Sequence, residues 1–291
     1  MKIIKNNLKN LLSDFLGCDA AFNLSRRFYL NRSFPYVQVV TYHDTPKGEC
    51  NNLRKQLEWY QKNFVNCNFS DLQGLLNNDT WNYDKPGLII SFDDGLRSNF
   101  DVALPLLEEY GFTGWFMIPS GFVDLVHTKQ VEFAKSNLID CHIEPSCDRI
   151  ALSWDEVREL EYRGHVITCH SMNHKRLSEK LTQSELKVEI NDAKQLMEIQ
   201  LGHKVEIFTW VGGEEQAYSR RAFDFMKKSG FKYIFCTNCS CITAKQSSLF
   251  LERYHVEPDY SHNQLRFVLG GFYNIMYFQK RRRIFNKINL V

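Results

Sequence analysis

Short apolar runs alternate with segments of helical periodicity along most of the chain. The runs are rich in β-branched and aromatic residues, which is typical of buried strands. They cover residues 36–42, 88–92, 113–118, 165–169, 206–210, 232–236 and, less clearly, 250–255. Amphipathic periodicity predicts helices at about 51–65, 98–110, 154–162, 181–201 and 217–229. Regular alternation of strand and helix indicates a parallel sheet, so the pattern predicts an α/β fold.

Local signals predict some of the element boundaries. Ser153 is followed three residues later by Glu156, which is the sequence of a capping box and predicts that a helix begins at Trp154. Gly230 follows the last helical segment and predicts its end. The longest connection without an assigned element covers residues 120–150. We expect it to form an inserted loop or a cap over one end of the sheet.

Composition is that of a globular protein. The chain has 291 residues, of which 44% are hydrophobic and 24% are charged, which excludes a disordered or collagen-like chain. The longest nearly apolar run, residues 267–278, is shorter than the ~20 residues of a bilayer-spanning helix. Lysines scattered through residues 1–15 argue against a secretory signal, and nine cysteines at irregular spacing fit a reducing compartment. We therefore expect one large domain in the cytoplasm.

Positive charge is concentrated at the two ends of the chain, although the formal net charge is only +2. Residues 261–291 contain six Lys/Arg and no acidic residue, and aromatic residues precede the basic run 280–283. Apolar residues at helical spacing predict an amphipathic helix over residues 2–16. Such segments bind anionic membrane surfaces, so we expect peripheral association with the inner face of a membrane. The alternative is a helix that packs across the domain and a solvated basic end.

The middle of the chain has an excess of acidic residues. This distribution argues against a nucleic-acid groove across the main body. The sequence does not indicate an oligomeric state.

Polar residues follow directly after three of the predicted strands. His43 follows the first strand, Asp93 and Asp94 follow the second, and His170 and His174 follow the fourth. The carboxyl ends of parallel strands form one edge, where ligands bind in α/β folds, so we expect these side chains to share a site. One carboxylate and two imidazoles suit a divalent metal ion with an open position for water. The second carboxylate is then free to act as a base.

These residues resemble the motifs of a known family, the polysaccharide deacetylases of carbohydrate esterase family 4, which are NodB-like. Residues 91–95 (SFDDG) look like its first motif, and residues 170–174 (HSMNH) look like its second. The resemblance covers roughly residues 36–260. It implies a distorted (β/α) barrel of about seven parallel strands, preceded by a basic amphipathic extension (1–35) and followed by a basic aromatic tail (261–291). Further matching segments are residues 42–43, 103–107, 119–122 and 153–154.

The resemblance also implies an activity, namely metal-dependent removal of an acetyl group from an N-acetylated sugar or glycan. The substrate could be a lipid-linked or other intracellular glycan intermediate. Asp94, His170 and His174 would hold one divalent metal ion, with zinc favoured and cobalt or nickel as alternatives. Asp93 would act as the general base. His255, close to the end of the last strand, would be the general acid, with a structural histidine as the alternative.

The third motif departs from the family pattern. Residues 208–215 (FTWVGGEE) contain neither the arginine nor the proline–aromatic pair that the family commonly has there. Trp210 and His43 are expected to line the substrate site, although His43 could equally secure the first strand. The altered motif motivates an alternative function, a weak or inactive glycan-binding homologue. An amidase for a non-sugar substrate is a third reading.

Overall fold

The computed structural model describes residues 17–26, 30, 34–142, 148–244 and 246–288, and the predicted helix over residues 2–16 lies outside this part. The strands are β1 (Tyr36–Tyr42), β2 (Val65–Asn66), β3 (Gly87–Phe92), β4 (Gly114–Ile118), β5 (Val166–Cys169), β6 (Ile207–Thr209), β7 (Tyr233–Cys236), β8 (Ile242–Thr243), β9 (Leu251–Glu252) and β10 (Tyr254–His255). The α-helices are α1 (Asp19–Ser25), α2 (Cys50–Asn63), α3 (Phe69–Asn78), α4 (Leu104–Glu109), α5 (His127–Ser136), α6 (Trp154–Tyr162), α7 (Gln183–Leu186), α8 (Ala193–Leu201), α9 (Arg220–Lys228), α10 (His262–Leu269), α11 (Phe272–Met276) and α12 (Phe278–Ile288). Stretches of π-helix at Asn99–Ala103 and Lys187–Asp192 lead into α4 and α8.

The strands form one sheet that curves into a nearly closed barrel. Its main path runs β10–β1–β3–β4–β5–β6–β7–β9, and each neighbouring pair on the path is parallel. β9 and β10 lie at opposite ends of this path, yet only Arg253 separates them in the chain. The last predicted run, residues 250–255, therefore closes the barrel as two short strands. The expectation of an α/β barrel of about seven parallel strand runs is confirmed.

Side chains alternate between the two faces of the sheet, as along any strand. Tyr42, Phe92 and Phe116 lie on one face in neighbouring strands, with ring centroids 5.6 and 5.3 Å apart, and they share the main apolar core with the helices. Val39 and Trp115 belong to a second apolar cluster on the other face, which also contains three leucines of α3. The sheet is thus covered by apolar packing on both faces, as parallel sheets require.

Local chemistry sets several helix boundaries where the sequence predicts them. The Ser153 hydroxyl accepts a hydrogen bond from the Glu156 amide, and the Glu156 carboxylate accepts one from the Ser153 amide, which confirms the capping box. α9 ends at Lys228, and Gly230 follows with a φ of 82°, which confirms the predicted stop. The sequence pattern did not predict α3 or α5. α5 lies within the connection 120–150, to which no element was assigned and which was expected to form an inserted loop or a cap.

The C-terminal helices pack against the barrel. Ile284 and Ile288 of α12 are fully buried in the main core. Arg281 donates hydrogen bonds to the carbonyls of Asn238 and Cys239, at 3.1 and 2.6 Å. Within the described residues, no helix combines the length and the hydropathy needed to cross a bilayer.

Candidate active site

The carboxyl ends of the barrel strands carry the polar residues that the sequence analysis selected. Asp93 and Asp94 directly follow β3, and His170 directly follows β5. The amides of Asp93 and His170 donate to the carbonyls of Tyr42 and Ile118 on the neighbouring strands, both at 2.9 Å. These hydrogen bonds extend the parallel sheet by one residue at each position. The site residues are therefore fixed to the barrel and do not lie on free loops.

The backbone at this edge adopts conformations that ordinary residues rarely take. Asp94 has a φ of 74°, Ser171 a φ of 64° and His174 a φ of 52°. Non-glycine residues with positive φ are uncommon, and such strained positions cluster where function requires a particular side-chain direction. Here the turns bring the side chains of Asp94 and His174 into contact.

Asp94, His170 and His174 form a buried cluster of three potential ligand atoms. Asp94 Oδ1 lies 3.0 Å from His174 Nε2 and 3.6 Å from His170 Nε2. On the far side of each ring, His170 Nδ1 lies 2.9 Å from the Thr209 carbonyl and His174 Nδ1 lies 2.8 Å from the Asn137 carbonyl. Carbonyl oxygens only accept, so both Nδ1 atoms donate, and in its neutral form each imidazole presents an unprotonated Nε2 to Asp94.

Three acceptor atoms therefore face one another without a donor between them. With both imidazoles neutral, Asp94 Oδ1 is buried and has no hydrogen-bond donor among the described residues. A buried acceptor without a partner is costly, and a cation would provide the missing partner for all three atoms. Two imidazole nitrogens and one carboxylate oxygen are the ligand set of many divalent metal sites, so these residues fit such an ion.

The two imidazoles differ in their affinity for protons. Burial lowers the pKa of His170 to about 4, which keeps the ring neutral, as a metal ligand must be. Burial also lowers the pKa of His174, but the Asp94 carboxylate raises it by more, so the net pKa is above the ordinary value. A proton therefore competes with a metal ion at His174.

An arginine that the sequence analysis missed holds Asp93. Arg253 is fully buried and binds both carboxylate oxygens, with Nη1 2.5 Å from Oδ1 and Nη2 2.9 Å from Oδ2. The guanidinium also donates to the hydroxyls of Thr41 and Ser91, at 2.8 and 3.3 Å. Burial raises the pKa of Asp93, but Arg253 and then His170 lower it by more, so the pKa lies well below its usual range. Asp93 is therefore ionised and can accept a proton.

Arg253 could have been recognised from its place in the sequence. It lies inside the last apolar strand run, where an arginine is costly unless it is paired. The third motif lacks the family's arginine, and this geometry shows that β9 and β10 bring one to Asp93 from another part of the chain.

The remaining selected residues take different positions. His43 and His255 both line the cleft above Asp93, with ring centroids 5.0 Å apart, and His255 Nε2 lies 2.7 Å from Glu257 Oε1. Trp210 is buried in the main core, and its indole N–H donates to the Ala217 carbonyl at 2.7 Å. Trp210 is not among the described residues that line the cleft, so its position does not support direct contact with a substrate.

The cleft has a volume of about 740 Å³ and opens to solvent. Most of its lining residues are polar, and they include more carboxylates than basic groups. Gly213 lies at its wall, where a Cβ atom would come within 2.6 Å of the Thr237 carbonyl, so the wall needs a glycine there. The acidic lining residues besides Asp93 and Asp94 are Asp44, Glu49, Asp140, Glu214, Glu257 and Asp259.

The fold and the site define a class of protein, an α/β barrel with a hydrolase-like group of carboxylates and imidazoles at the carboxyl edge of its strands. A family model described as polysaccharide deacetylase matches residues 81–234, which is more than half of the chain. The chain belongs to the polysaccharide deacetylase family. The resemblance seen in the sequence is thereby confirmed.

Individual relatives agree with this family. YxkH of Bacillus subtilis, which carries the polysaccharide deacetylase name, is 21% identical over 232 residues, covering 77% of this chain and 73% of its own. The Streptococcus pyogenes deacetylase PplD has a TM-score of 0.64 at 17% identity, covering 80% of this chain and 98% of its own. IcaB from Ammonifex degensii has a TM-score of 0.61 at 17% identity, covering 80% and 96%. Family and fold together support a sugar deacetylase, a hydrolase of amide bonds.

Proposed function

We propose that this protein is a metal-dependent deacetylase that hydrolyses the N-acetyl group of a sugar within a glycan. The observation that carries the proposal is an ionised carboxylate beside a set of metal ligands, since Asp93 Oδ2 lies 3.9 Å from His170 Nε2. A glycan-binding module would need neither a free base nor an open metal site. Asp94, His170 and His174 would hold the ion.

Asp93 takes the proton of the attacking water. A divalent cation, when bound, supplies an acidified water and a Lewis acid for the acetyl carbonyl. Arg253 fixes both oxygens of Asp93 in one orientation and keeps the carboxylate ionised, as a general base requires. The altered third motif has no arginine to orient Asp93, and Arg253 takes that role. It therefore supports the enzyme over the inactive alternative.

The leaving amine of the sugar must receive a proton, and we assign the donor to the imidazole pair of His43 and His255. Both rings line the cleft. The two ring centroids lie 5.0 Å apart, and His255 Nε2 lies 2.7 Å from Glu257 Oε1. Each histidine is replaced by glutamine in turn, and kcat is measured for both variants. The histidine whose replacement lowers kcat more is the proton donor.

The cleft supports a sugar substrate over an apolar amide. Most of the side chains that line this open cleft are polar, so they offer hydrogen-bond partners for the hydroxyl groups of a sugar. The excess of carboxylates also suits a glycan that already carries free amines. We propose an intracellular glycan intermediate as the natural substrate.

We also propose that the protein works at an anionic membrane surface, where a lipid-linked intermediate would be found. Ile275, Met276 and Phe278 are 58%, 63% and 53% exposed at the junction of α11 and α12. Arg282 lies one helical turn after Phe278 on the same face of α12 and is exposed. Exposed apolar side chains beside a basic residue are typical of an interfacial segment.

Acetate release from a panel of substrates tests the proposed chemistry. The panel contains oligomers of N-acetylglucosamine, an O-acetylated sugar and a non-sugar acetamide. The protein is stripped with a chelator and reloaded with zinc, cobalt or nickel. We expect release from the N-acetyl sugars only after metal is restored. Sugar binding without acetate release under every metal would favour the binding module, and release from the non-sugar acetamide alone would favour the amidase.

A further inference from the structure

A second group of potential metal ligands lies in the same cleft and shares no residue with the first. His43, His255 and Glu257 each offer one ligand atom, and these atoms all lie within 4.8 Å of one another. The arrangement follows from the sheet, because β1 and β10 pair in parallel with Thr41 opposite His255. His43 and His255 therefore emerge from the same edge of the barrel, and Glu257 follows two residues later.

The ligand atoms are close enough for one ion. Zinc bonds of about 2.0–2.2 Å in a tetrahedral site place the ligand atoms roughly 3.5 Å apart. His255 Nε2 and Glu257 Oε1 already lie 2.7 Å apart, and the side chains are 41% and 37% exposed, so small rotations can adjust the spacing. Two imidazoles and one carboxylate are again a donor set that zinc accepts.

The two groups differ in how solvent reaches them. The side chains of Asp94, His170 and His174 are 2%, 2% and 9% exposed, so an ion held there is enclosed by protein. The second group lies at the open part of the cleft, where the side chains of His255 and Glu257 are 41% and 37% exposed. Ligands that must be ordered on binding hold an ion less tightly, so the second group should be the weaker one.

We propose that His43, His255 and Glu257 form a second, weaker zinc site, and that zinc bound there inhibits the enzyme. A zinc ion occupies the nitrogen lone pairs of the imidazoles, which then cannot carry the proton that the leaving amine needs. The inhibitory part rests on the proposed function, whereas the existence of the site does not. Low zinc therefore activates the protein through the first site, and higher zinc inhibits it through the second.

Zinc stoichiometry tests the site without any need for activity. The full chain is stripped of metal, dialysed against a series of free zinc concentrations and measured for bound zinc per chain. We expect two zinc ions of clearly different affinity. Glu257→Gln should weaken the second by at least tenfold and keep the first, whereas Asp94→Asn should lose the first and keep the second. A single zinc ion in the wild-type chain, or two of unchanged affinity in Glu257→Gln, would overturn the proposal.

A matched control removes the same charge from the same cleft. The control variant is Asp259→Asn. Asp259 lies two residues from Glu257 on the cleft wall but does not belong to the three-ligand group. This variant should keep both zinc ions. If it lost the second ion as readily as Glu257→Gln, the loss would be due to the charge of the cleft as a whole, and the proposed site would be overturned.

Activity measured against zinc concentration tests the inhibition. Wild-type acetate release should rise and then fall as zinc increases, and the falling limb should move to at least tenfold higher zinc in Glu257→Gln. An unmoved falling limb would contradict the inhibitory role. A chain that releases no acetate at any zinc concentration, yet loses its second ion in Glu257→Gln, would support the site and contradict only the proposed function.

Discussion

Arg253 is fully buried, and its guanidinium binds both oxygens of Asp93. Truncation would leave Asp93 as a buried charge without a partner, which costs about 3–5 kcal/mol. We expect Arg253→Ala to lower the free energy of unfolding by about that amount. We also expect kcat to fall by about 100-fold or more, since a general base contributes on that order. Urea denaturation and acetate release measure the two effects.

A rim arginine provides the comparison. Arg176 pairs with Glu214 at the cleft, but its side chain is 39% exposed, so its loss should cost under about 1 kcal/mol. Arg253→Lys keeps the charge and should retain more stability than Arg253→Ala. Wild-type stability and turnover in Arg253→Ala would show that Asp93 does not depend on this partner.

Glu252 is a buried carboxyl group with incomplete hydrogen bonding. The backbone amide of Asn238 donates to Oε2 at 2.6 Å, while Oε1 has no partner in the described part of the chain. Burial raises the pKa of Glu252 from 4.5 to about 7. Because the pKa is higher in the folded than in the unfolded state, the stability contribution is complete below pH 4.5 and is lost as the pH rises to about 7. The loss amounts to roughly 3 kcal/mol.

Glu252→Gln removes this titration and keeps an acceptor for the Asn238 amide. We expect the variant to unfold at higher urea than the wild type at pH 8, with the advantage shrinking as the pH falls towards 5. Urea denaturation of both proteins at the two pH values provides the measurement. A difference that is the same at both pH values would mean that Glu252 does not titrate in this range.

At the residue scale, the candidate site residues could be predicted because each of them follows the end of a predicted strand. Asp94, His170 and His174 lie together because parallel strands end at one edge, and that rule needs no knowledge of side-chain geometry. Arg253 was missed because its partner Asp93 is 160 residues away, and periodicity carries no information about such pairs. Trp210 was selected for its place in the altered third motif, but the barrel buries it beside Tyr218.

Helix α12 has two faces with different roles. Ile284 and Ile288 are buried against the barrel, whereas Phe278 is exposed next to Ile275 and Met276 of α11. Because the inner face is part of the core, deletion of the helix would disturb the whole fold. Point substitutions on the outer face are the sharper test of membrane binding.

We expect the triple variant Ile275→Ser, Met276→Ser, Phe278→Ser to lose most of its binding to anionic vesicles in a sedimentation assay. Wild-type binding should weaken with salt, since basic residues contribute part of it. Activity on a soluble sugar should be unchanged. A double variant, Tyr162→Ser with Ile199→Ser, removes apolar side chains that are 88% and 68% exposed elsewhere and should bind as the wild type does. A wild-type chain that stays in the supernatant at low salt would contradict the membrane proposal.

At the element scale, the main strands and the helices that alternate with them followed the sequence pattern, whereas α3 and α5 did not. α5 buries only Gln130 and Ala134, so its sequence has little apolar periodicity to recognise. α3 begins at a capping box of Asn68 and Asp71, which marks the start of a helix but not its apolar periodicity. The run 250–255 divides at Arg253, where the pairing partner changes from β7 to β1.

For the whole molecule, closure of the barrel brings four distant chain segments to one cleft. β1 supplies His43, β3 the two aspartates, β5 the first metal-ligand histidine, and β10 supplies His255. The alternation of elements was enough to predict a parallel α/β fold, but the closure at β9 and β10 depends on pairing between the first and last strands. Long-range pairing of this kind is not encoded in local periodicity.

The central claim is that two adjacent carboxylates have separate roles, with Asp94 holding metal and Asp93 accepting a proton. Metal content and acetate release, measured together on Asp93→Asn and Asp94→Asn, test it most directly. We expect Asp93→Asn to keep one tightly bound ion and to lose turnover by about 100-fold or more, whereas Asp94→Asn should lose that ion and its activity. Full activity in Asp93→Asn, or an undiminished tight ion in Asp94→Asn, would contradict the account.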